Sequence, residues 1–549
     1  MMRRAVLIGL AFGAGAVHIA IVGVLLMLHQ RWIIVGTVTL GQAALLMIAG
    51  GAGLMAAWPL GGLIAGAAAA VPLAALTVIM AVVPLQWMFI ALSSDLFNML
   101  TLDQGLALGC VILVCGGAIA GLLGALWRIS PVVVRRLIGP GLIAVTVAGV
   151  FQELIQLMLQ QYEGAVSDFR DFIYTWEGLS PQGAVTIFLI VALCSEILGS
   201  IWRRRAARIE ERDHRRERMV WAGFALAALV LLPALAGSYV GQVLMLVGLY
   251  ILMGMGLNLE VGLAGLLDLG FVAFFAVGAY STALLTADSP HALLHLTYWE
   301  AMPIAVLLSI CVGVLFGLPV LGVRGDYLAV ATMGLGEIVR VIVQSDFAAP
   351  LLGGAQGVLQ IPKPSLGNFL LGNPVTLFYL TLAASAVAAF VAWRLENSRL
   401  GRAWMALRDD EDVAQALGIN LVRSKLLAYG LGAAFAGLAG SIFATMLSSV
   451  YPSSFQLLIS INVLALIIVG GMGSLPGVVL GSIALIGLPE LLREFGEYRY
   501  LFYGAVLIVM MRLRPEGLWP SDVRQRELHA ADETLALDAG ADAVPAQPR

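Results

Sequence analysis

The chain has 549 residues, of which 60% are hydrophobic and 12% charged, with a formal net charge of −3. A soluble globular domain is nearer half apolar and a quarter charged, so this chain lacks the polar groups to coat its own surface in water. The composition argues against a soluble enzyme, the charge gives no sign of nucleic-acid binding, and lipid must be part of the solvent.

A membrane helix needs ~20 largely apolar residues, because bare backbone amides cannot be left in hydrocarbon. The opening Met1-Met2-Arg3-Arg4 leads into an apolar run that reaches Leu28 without a clean small-residue cleavage site, which reads as a retained helix. Six runs are predicted at 5–28, 33–57, 61–92, 105–127, 137–160 and 182–202, and together they define an N-terminal six-helix extension over residues 1–202. Cys110, Cys115, Cys194 and Cys311 all lie in apolar runs without paired ligand spacing, so neither a disulfide framework nor a metal site is indicated. Gln152, Gln156 and Gln160 form a polar stripe with Glu153 beside it, a pattern suited to interhelical hydrogen bonds. A scaffold packed around the rest of the chain is the default reading of this extension.

Residues 203–219 follow, RRRAARIEERDHRRERM, with eight arginines against four acids. The positive-inside rule makes this linker cytoplasmic. Ten further runs are predicted near 220–236, 240–262, 267–287, 302–322, 327–345, 375–394, 423–447, 456–473, 475–491 and 499–512, within a transmembrane unit over 220–515. The expected fold class is therefore all-α, a polytopic membrane helix bundle of about 16 spans. Counting outward from the linker puts Trp127–Arg136, Gly322–Asp326 and Arg394–Arg423 inside and Tyr162–Ser180 and Asp346–Pro374 outside, with Arg31 the clear exception. Both termini then fall in the cytoplasm, and residues 516–549 read as a disordered tail.

The second unit holds the informative motifs. Glu260 and Asp268 flank a GLAGLL turn, where structural roles lead. Arg324, Gly325 and Asp326 stand at a helix boundary; a snorkelling arginine with a capping aspartate competes with an inner-gate role. Glu337 and Arg340 are spaced to pair within one span, either as a structural ion pair or on a substrate path. Gly353–Gly357 is a plain turn or a loop that touches a delivery protein. Gly470, Gly471 and Gly473 must break a helix or join two tightly, as packing or as a gate.

Between two of these spans lies LENSRLGRAWMALRDDEDVAQALGINLVRSK, which does not belong in lipid. Ala403, Ala406, Leu407, Asp410, Val413, Ala414 and Leu417 fall on one helical stripe, opposite Arg402, Arg408, Asp409, Glu411 and Asp412. Gly418 sits where a C-terminal glycine cap would fall. Interfacial membrane helices favour bulky apolar residues opposite basic ones; an alanine-rich stripe suits a protein groove, either in a partner or within the chain. Lys363 and Lys425 are the only lysines and neither follows glycine, so there is no phosphate-binding loop. If ATP drives this protein, another chain hydrolyses it.

Four blocks in order, Gly256–Tyr280, Val323–Arg340, Gly401–Ile419 and Val463–Gly481, resemble the LivM-type permeases of branched-chain amino acid ABC importers. The polar loop resembles their coupling loop, with Gly418 at its hallmark glycine. The resemblance implies an ABC importer permease fold in a bacterial inner membrane and no cofactor bound by this chain. It also implies a LivH-type second permease, two LivG/LivF-type ATPases carrying ATP and Mg, and an extracytoplasmic amino-acid-binding protein. The implied coupling residues are Arg402, Ala403, Leu407, Arg408, Asp409, Asp410, Glu411, Ala414, Leu417 and Gly418. Candidates for the gate or pathway are Asn258, Arg324, Asp326, Glu337, Arg340, Gly470, Gly471 and Gly473. Urea or short-chain amides are alternative substrates within the class. An ion-gradient-driven secondary transporter is the alternative outside it.

Overall fold

The structure, a computed structural model, describes residues 1–56, 58–206, 223, 227, 229–323, 325–514 and 516–520. Most of the basic linker, part of the run at 220–236, Arg324 and the tail beyond Pro520 lie outside the described residues. The chain divides into two compact units, Met1–Ala225 and Leu226–Arg549. Among the described residues, ten helices are long and apolar enough to cross a membrane and four further apolar helices are shorter.

In the first unit the long helices are α1 (Met2–Val22), α2 (Leu40–Met55), α3 (Pro59–Val82), α4 (Leu106–Ile129), α5 (Val132–Val150) and α6 (Pro181–Ala206). Two expected spans are shortened for visible reasons. The run at 33–57 gives its first residues to a small hairpin, Trp32–Ile34 with Val38–Thr39, and Thr39 and Gln42 then form a reciprocal cap that starts α2 at Leu40. The run at 137–160 breaks at Phe151, and Gln152–Leu159 forms a separate short helix. The glutamine stripe is accordingly not interhelical: Gln152 and Gln156 donate to the backbone carbonyls of Glu177 and Thr175 in a neighbouring loop.

Lipid gives no hydrophobic drive to pair helices, so close backbone packing must supply it. Gly62 and Gly66 of α3 meet Gly117 and Gly121 of α4 with the backbones in contact, and a Cβ on Gly121 would fall 2.7 Å from the Gly66 Cα. Backbone cannot swing aside as a side chain does. Gly121→Val is expected to lower stability by about 1–3 kcal/mol or more, read as a lower unfolding midpoint in detergent, whereas Gly116→Val, at an open position, leaves it unchanged.

The second unit is built around α7 (Ser238–Leu257), α8 (Val272–Thr286), α9 (Tyr298–Val320), α10 (Asp326–Gln344), α11 (Pro374–Glu396) and α14 (Leu421–Leu447). Between α11 and α14 lie two short helices, α12 (Arg399–Asp409) and α13 (Glu411–Ala416); α15 (Leu457–Gly470), α16 (Leu475–Ser482) and α17 (Arg499–Leu513) follow. The long α14 is the central post. Gly432, Gly437 and Gly440 let Gly256 of α7, Gly278 of α8 and the Phe275 carbonyl come against its backbone. α8 is buried along nearly its whole length, including Phe274, Phe275 and Tyr280. α7 ends in a π-helical turn, Asn258–Leu263, which is entirely buried. This widened turn places the site described next.

At the opposite end of α14 the glycine-rich loop is braced. Val358–Leu359 pairs with Ser449–Val450, and the Lys363 ammonium donates to the Thr445 and Met446 carbonyls at 2.6 and 2.7 Å. A cation at the negative end of a helix dipole is favourable there, although partial burial lowers the Lys363 pKa from its ordinary value.

Candidate functional site

The polar loop between α11 and α14 does not form the single amphipathic helix that its periodicity suggests. Ser398 caps α12 by accepting from the Leu400 and Gly401 N–H groups. The helix then ends at Asp410, whose backbone is extended (φ −158°) and whose carboxylate accepts from the N–H groups of Asp412 and Val413 at 2.8 and 2.9 Å. Aspartate at an N-cap outcompetes helix continuation because it satisfies orphan donors of the next helix. α13 closes with the expected glycine cap: Gly418 is left-handed (φ +87°), its N–H reaches the Gln415 carbonyl and the Ile419 N–H reaches that of Ala414. The result is an elbow.

The break divides the predicted stripe. Leu407 and Ala414 are buried and Ala403 is half-buried, but Val413 is 55% and Leu417 76% exposed. Arg402, Asp409 and Asp410 are exposed. Two anchors that the periodicity did not single out hold the inner face. Trp404 is fully buried and its indole donates to the Ser424 carbonyl at 2.9 Å. The Lys425 ammonium, on a side chain only 4% exposed, pairs with Glu411 at 2.7 Å and ties α13 to α14. Beside the elbow opens a cleft of about 440 Å³, lined by Leu321, Gly322, Gln415, Ile419 and Val422.

Arg408 connects the elbow to the bundle. Its guanidinium donates to the Gly262 carbonyl at 2.9 Å, inside the π turn, and its stem lies against Gly265, where a Cβ would come within 2.8 Å of the Arg408 Cγ. The same turn presents Asn258, 1% exposed, whose side-chain oxygen accepts the Gly473 N–H at 2.9 Å. Gly470, Gly471 and Gly473 form the tight link between α15 and α16. Gly471 and Gly473 have positive φ, and the Gly470 and Gly477 backbones touch. Just past the turn, the Leu269 N–H donates to the Thr332 hydroxyl on α10 at 3.0 Å. One buried turn therefore contacts the elbow and the glycine link, with α10 tied in just beyond it.

Glu337 and Arg340 do pair, with the Arg340 Nε reaching both carboxylate oxygens at 3.0 and 2.9 Å. They lie in the middle of α10, with side chains 47% and 30% exposed, and Arg340 lines a small cavity with Val272 and Ala276 of α8. Asp326 is the first residue of α10.

Apolar helices enough to span a bilayer many times, a tight glycine link between α15 and α16 and a bolted elbow with an exposed tip suit a transport permease subunit. The chain belongs to the family described as branched-chain amino acid transport system / permease component, whose model matches residues 239–511. The high-affinity branched-chain amino acid transport system permease protein LivM of Escherichia coli K12 is 39% identical over 54% of this chain and 80% of its own length. A probable LivM of Methanocaldococcus jannaschii is 22% identical over 51% and 93%, and the permease LivH of E. coli K12 is 23% identical over 49% and 90%. No solved structure matches.

Proposed function

We propose that the chain carries branched-chain or closely related amino acids through a bacterial inner membrane as one permease of an ATP-driven importer, with both termini in the cytoplasm. A LivH-type permease completes the membrane core. Two LivG/LivF-type ATPases supply ATP and Mg, and an extracytoplasmic binding protein delivers substrate. The observation that carries this reading is the asymmetry of the elbow. One face is clamped by Trp404, Lys425 and Arg408, while Val413, Leu417 and Gly418 stand free at its tip. A large apolar residue held in the open by a rigid support is what a partner groove receives. Motion of that partner reaches Gly262 through Arg408, and from the same turn Asn258 holds the glycine link.

The pair Glu337–Arg340 supports a second permease. Ionised side chains at membrane depth face protein or water rather than lipid, and this chain, which leaves 47% of the Glu337 and 30% of the Arg340 side chain exposed, does not fully cover them. A second permease across α10, with the substrate path between the two, does.

The reading is tested in proteoliposomes that hold the chain with its companions and the binding protein. Uptake of labelled leucine is expected to require ATP on the ATPase side and to persist when ionophores collapse every ion gradient. Uptake that ignores ATP and follows a gradient contradicts it and favours a secondary transporter.

A further inference from the structure

The buried turn carries charge that the coupling path leaves unused. Glu260 is fully buried and Asp268 is 1% exposed, and their carboxyl groups lie within hydrogen-bonding reach of one another. One oxygen of Asp268 accepts the Gly270 N–H at 2.7 Å; its other oxygen and both oxygens of Glu260 have no donor among the described residues. Tyr429 of α14, 2% exposed, has an unpartnered hydroxyl and shares with Asp268 the wall of a cavity of about 10 Å³. Room for the Glu260 carboxylate exists because position 432 is glycine, where a Cβ would overlap it.

The groups packed around this cluster are otherwise committed. Arg408 engages Gly262 and Asp409, Lys425 engages Glu411, and the Thr332 hydroxyl donates to the Ala329 carbonyl. Phe274, Phe316 and Leu335 complete an apolar wall. Two carboxylates facing each other in such a medium repel strongly unless a positive charge lies between them. The cavity, lined by Asp268 and Tyr429 but not by Glu260, whose carboxylate lies against Gly432, has the size of a single water-sized particle. Calcium needs six to eight oxygens and magnesium keeps several waters, so neither has space. A monovalent cation does. The one negative charge left over falls on Asp268, beside the Gly270 N–H and just ahead of the N-terminus of α8, where an anion is favoured.

We propose that Glu260, Asp268 and Tyr429 form a binding site for one monovalent cation, H+ or Na+, that neutralises the carboxyl pair and holds the Asn258–Leu263 turn against α14. The site stands whatever the transported substrate. Under the transport reading above, its occupancy sets how firmly the turn receives Arg408.

The test is thermal unfolding of the full-length chain in detergent, followed by tryptophan fluorescence. One arm titrates NaCl against choline chloride at constant ionic strength and alkaline pH; the other varies pH without sodium. The wild-type midpoint is expected to rise saturably with Na+ or with acidification beyond any rise seen in Glu260→Gln, in which the pair is already relieved. A sodium response alone identifies Na+, and a pH response alone identifies H+, which also gives a protonated-carboxyl infrared band absent from Glu260→Gln. A wild-type midpoint indifferent to Na+ and no more pH-sensitive than Glu260→Gln overturns the proposal. So does a response retained in full by both Glu260→Gln and Asp268→Asn. If neither variant folds, Tyr429→Phe replaces them as reference: a response undiminished there overturns the proposal, and a weakened one supports it.

Discussion

Replacing Leu417 by aspartate is expected to abolish most ATP-driven uptake while leaving the chain folded. Leu417 is 76% exposed in the isolated chain, so the fold loses little when it goes. On the proposed docking, the same side chain enters a partner groove in the assembled importer, where burying a leucine contributes roughly 1.5–3 kcal/mol. An aspartate there loses that term and adds an unpaired charge. A cost of about 2 kcal/mol or more weakens docking by roughly 30-fold. Reconstituted complexes measure the effect as lost uptake and lost substrate stimulation of ATPase activity, and the unfolding midpoint of the isolated chain stays at the wild-type value. Ala414→Trp and Gly418→Pro are less direct probes. Ala414 is buried within the elbow itself, and proline cannot adopt the left-handed φ of Gly418. Both substitutions deform the elbow before they touch a partner.

The ion pair beneath the elbow sets the second expectation. Lys425 is almost completely enclosed whereas Glu411 keeps a fifth of its surface in solvent, so the two halves are not equivalent. Glu411→Ala strands a buried ammonium. Losing one member of a fully buried pair costs about 3–5 kcal/mol, and the partial exposure of Glu411 reduces this to roughly 2–3 kcal/mol. Lys425→Met leaves a carboxylate that reaches water and keeps a well-packed stem in place, so its cost is smaller. The double variant is expected to recover most of the loss caused by Glu411→Ala. Denaturant unfolding in detergent, run as a double-mutant cycle, measures the three differences. Equal costs for both single variants contradict the asymmetry.

The membrane class and the family were legible from the chain alone, because apolar runs of span length have few alternative explanations and four blocks kept their order. The cap at Gly418 was legible too, since glycine directly after the last residue of an apolar stripe has a defined backbone use. The elbow was not. Periodicity carried the stripe straight through Asp410, and only the aspartate's habit of capping a new helix signals the break. Trp404 and Lys425 fall outside the stripe that periodicity picks out, and their burial is a tertiary result: Trp404 reaches the Ser424 carbonyl of α14, and Lys425, itself on α14, is enclosed where it meets Glu411 of α13. The turn at Asn258–Leu263 was invisible because a π-helical insertion has no sequence period of its own. Glu260 in the turn and Asp268 just past it read as boundary charges. Their burial becomes apparent only when α14 brings Tyr429 and Gly432 alongside.

Site-directed cross-linking from the elbow addresses the central claim most directly. In membranes holding the complete importer, Leu417→Cys carrying a short photoreactive probe is expected to cross-link to an ATPase subunit, with a yield that changes when ATP binds. The same probe at Leu370→Cys, exposed in the loop at the other end of α14, is expected to give no ATPase product. Labelling of lipid alone from position 417, or equal ATPase labelling from both positions, would contradict the claim that this elbow is where the permease receives its drive.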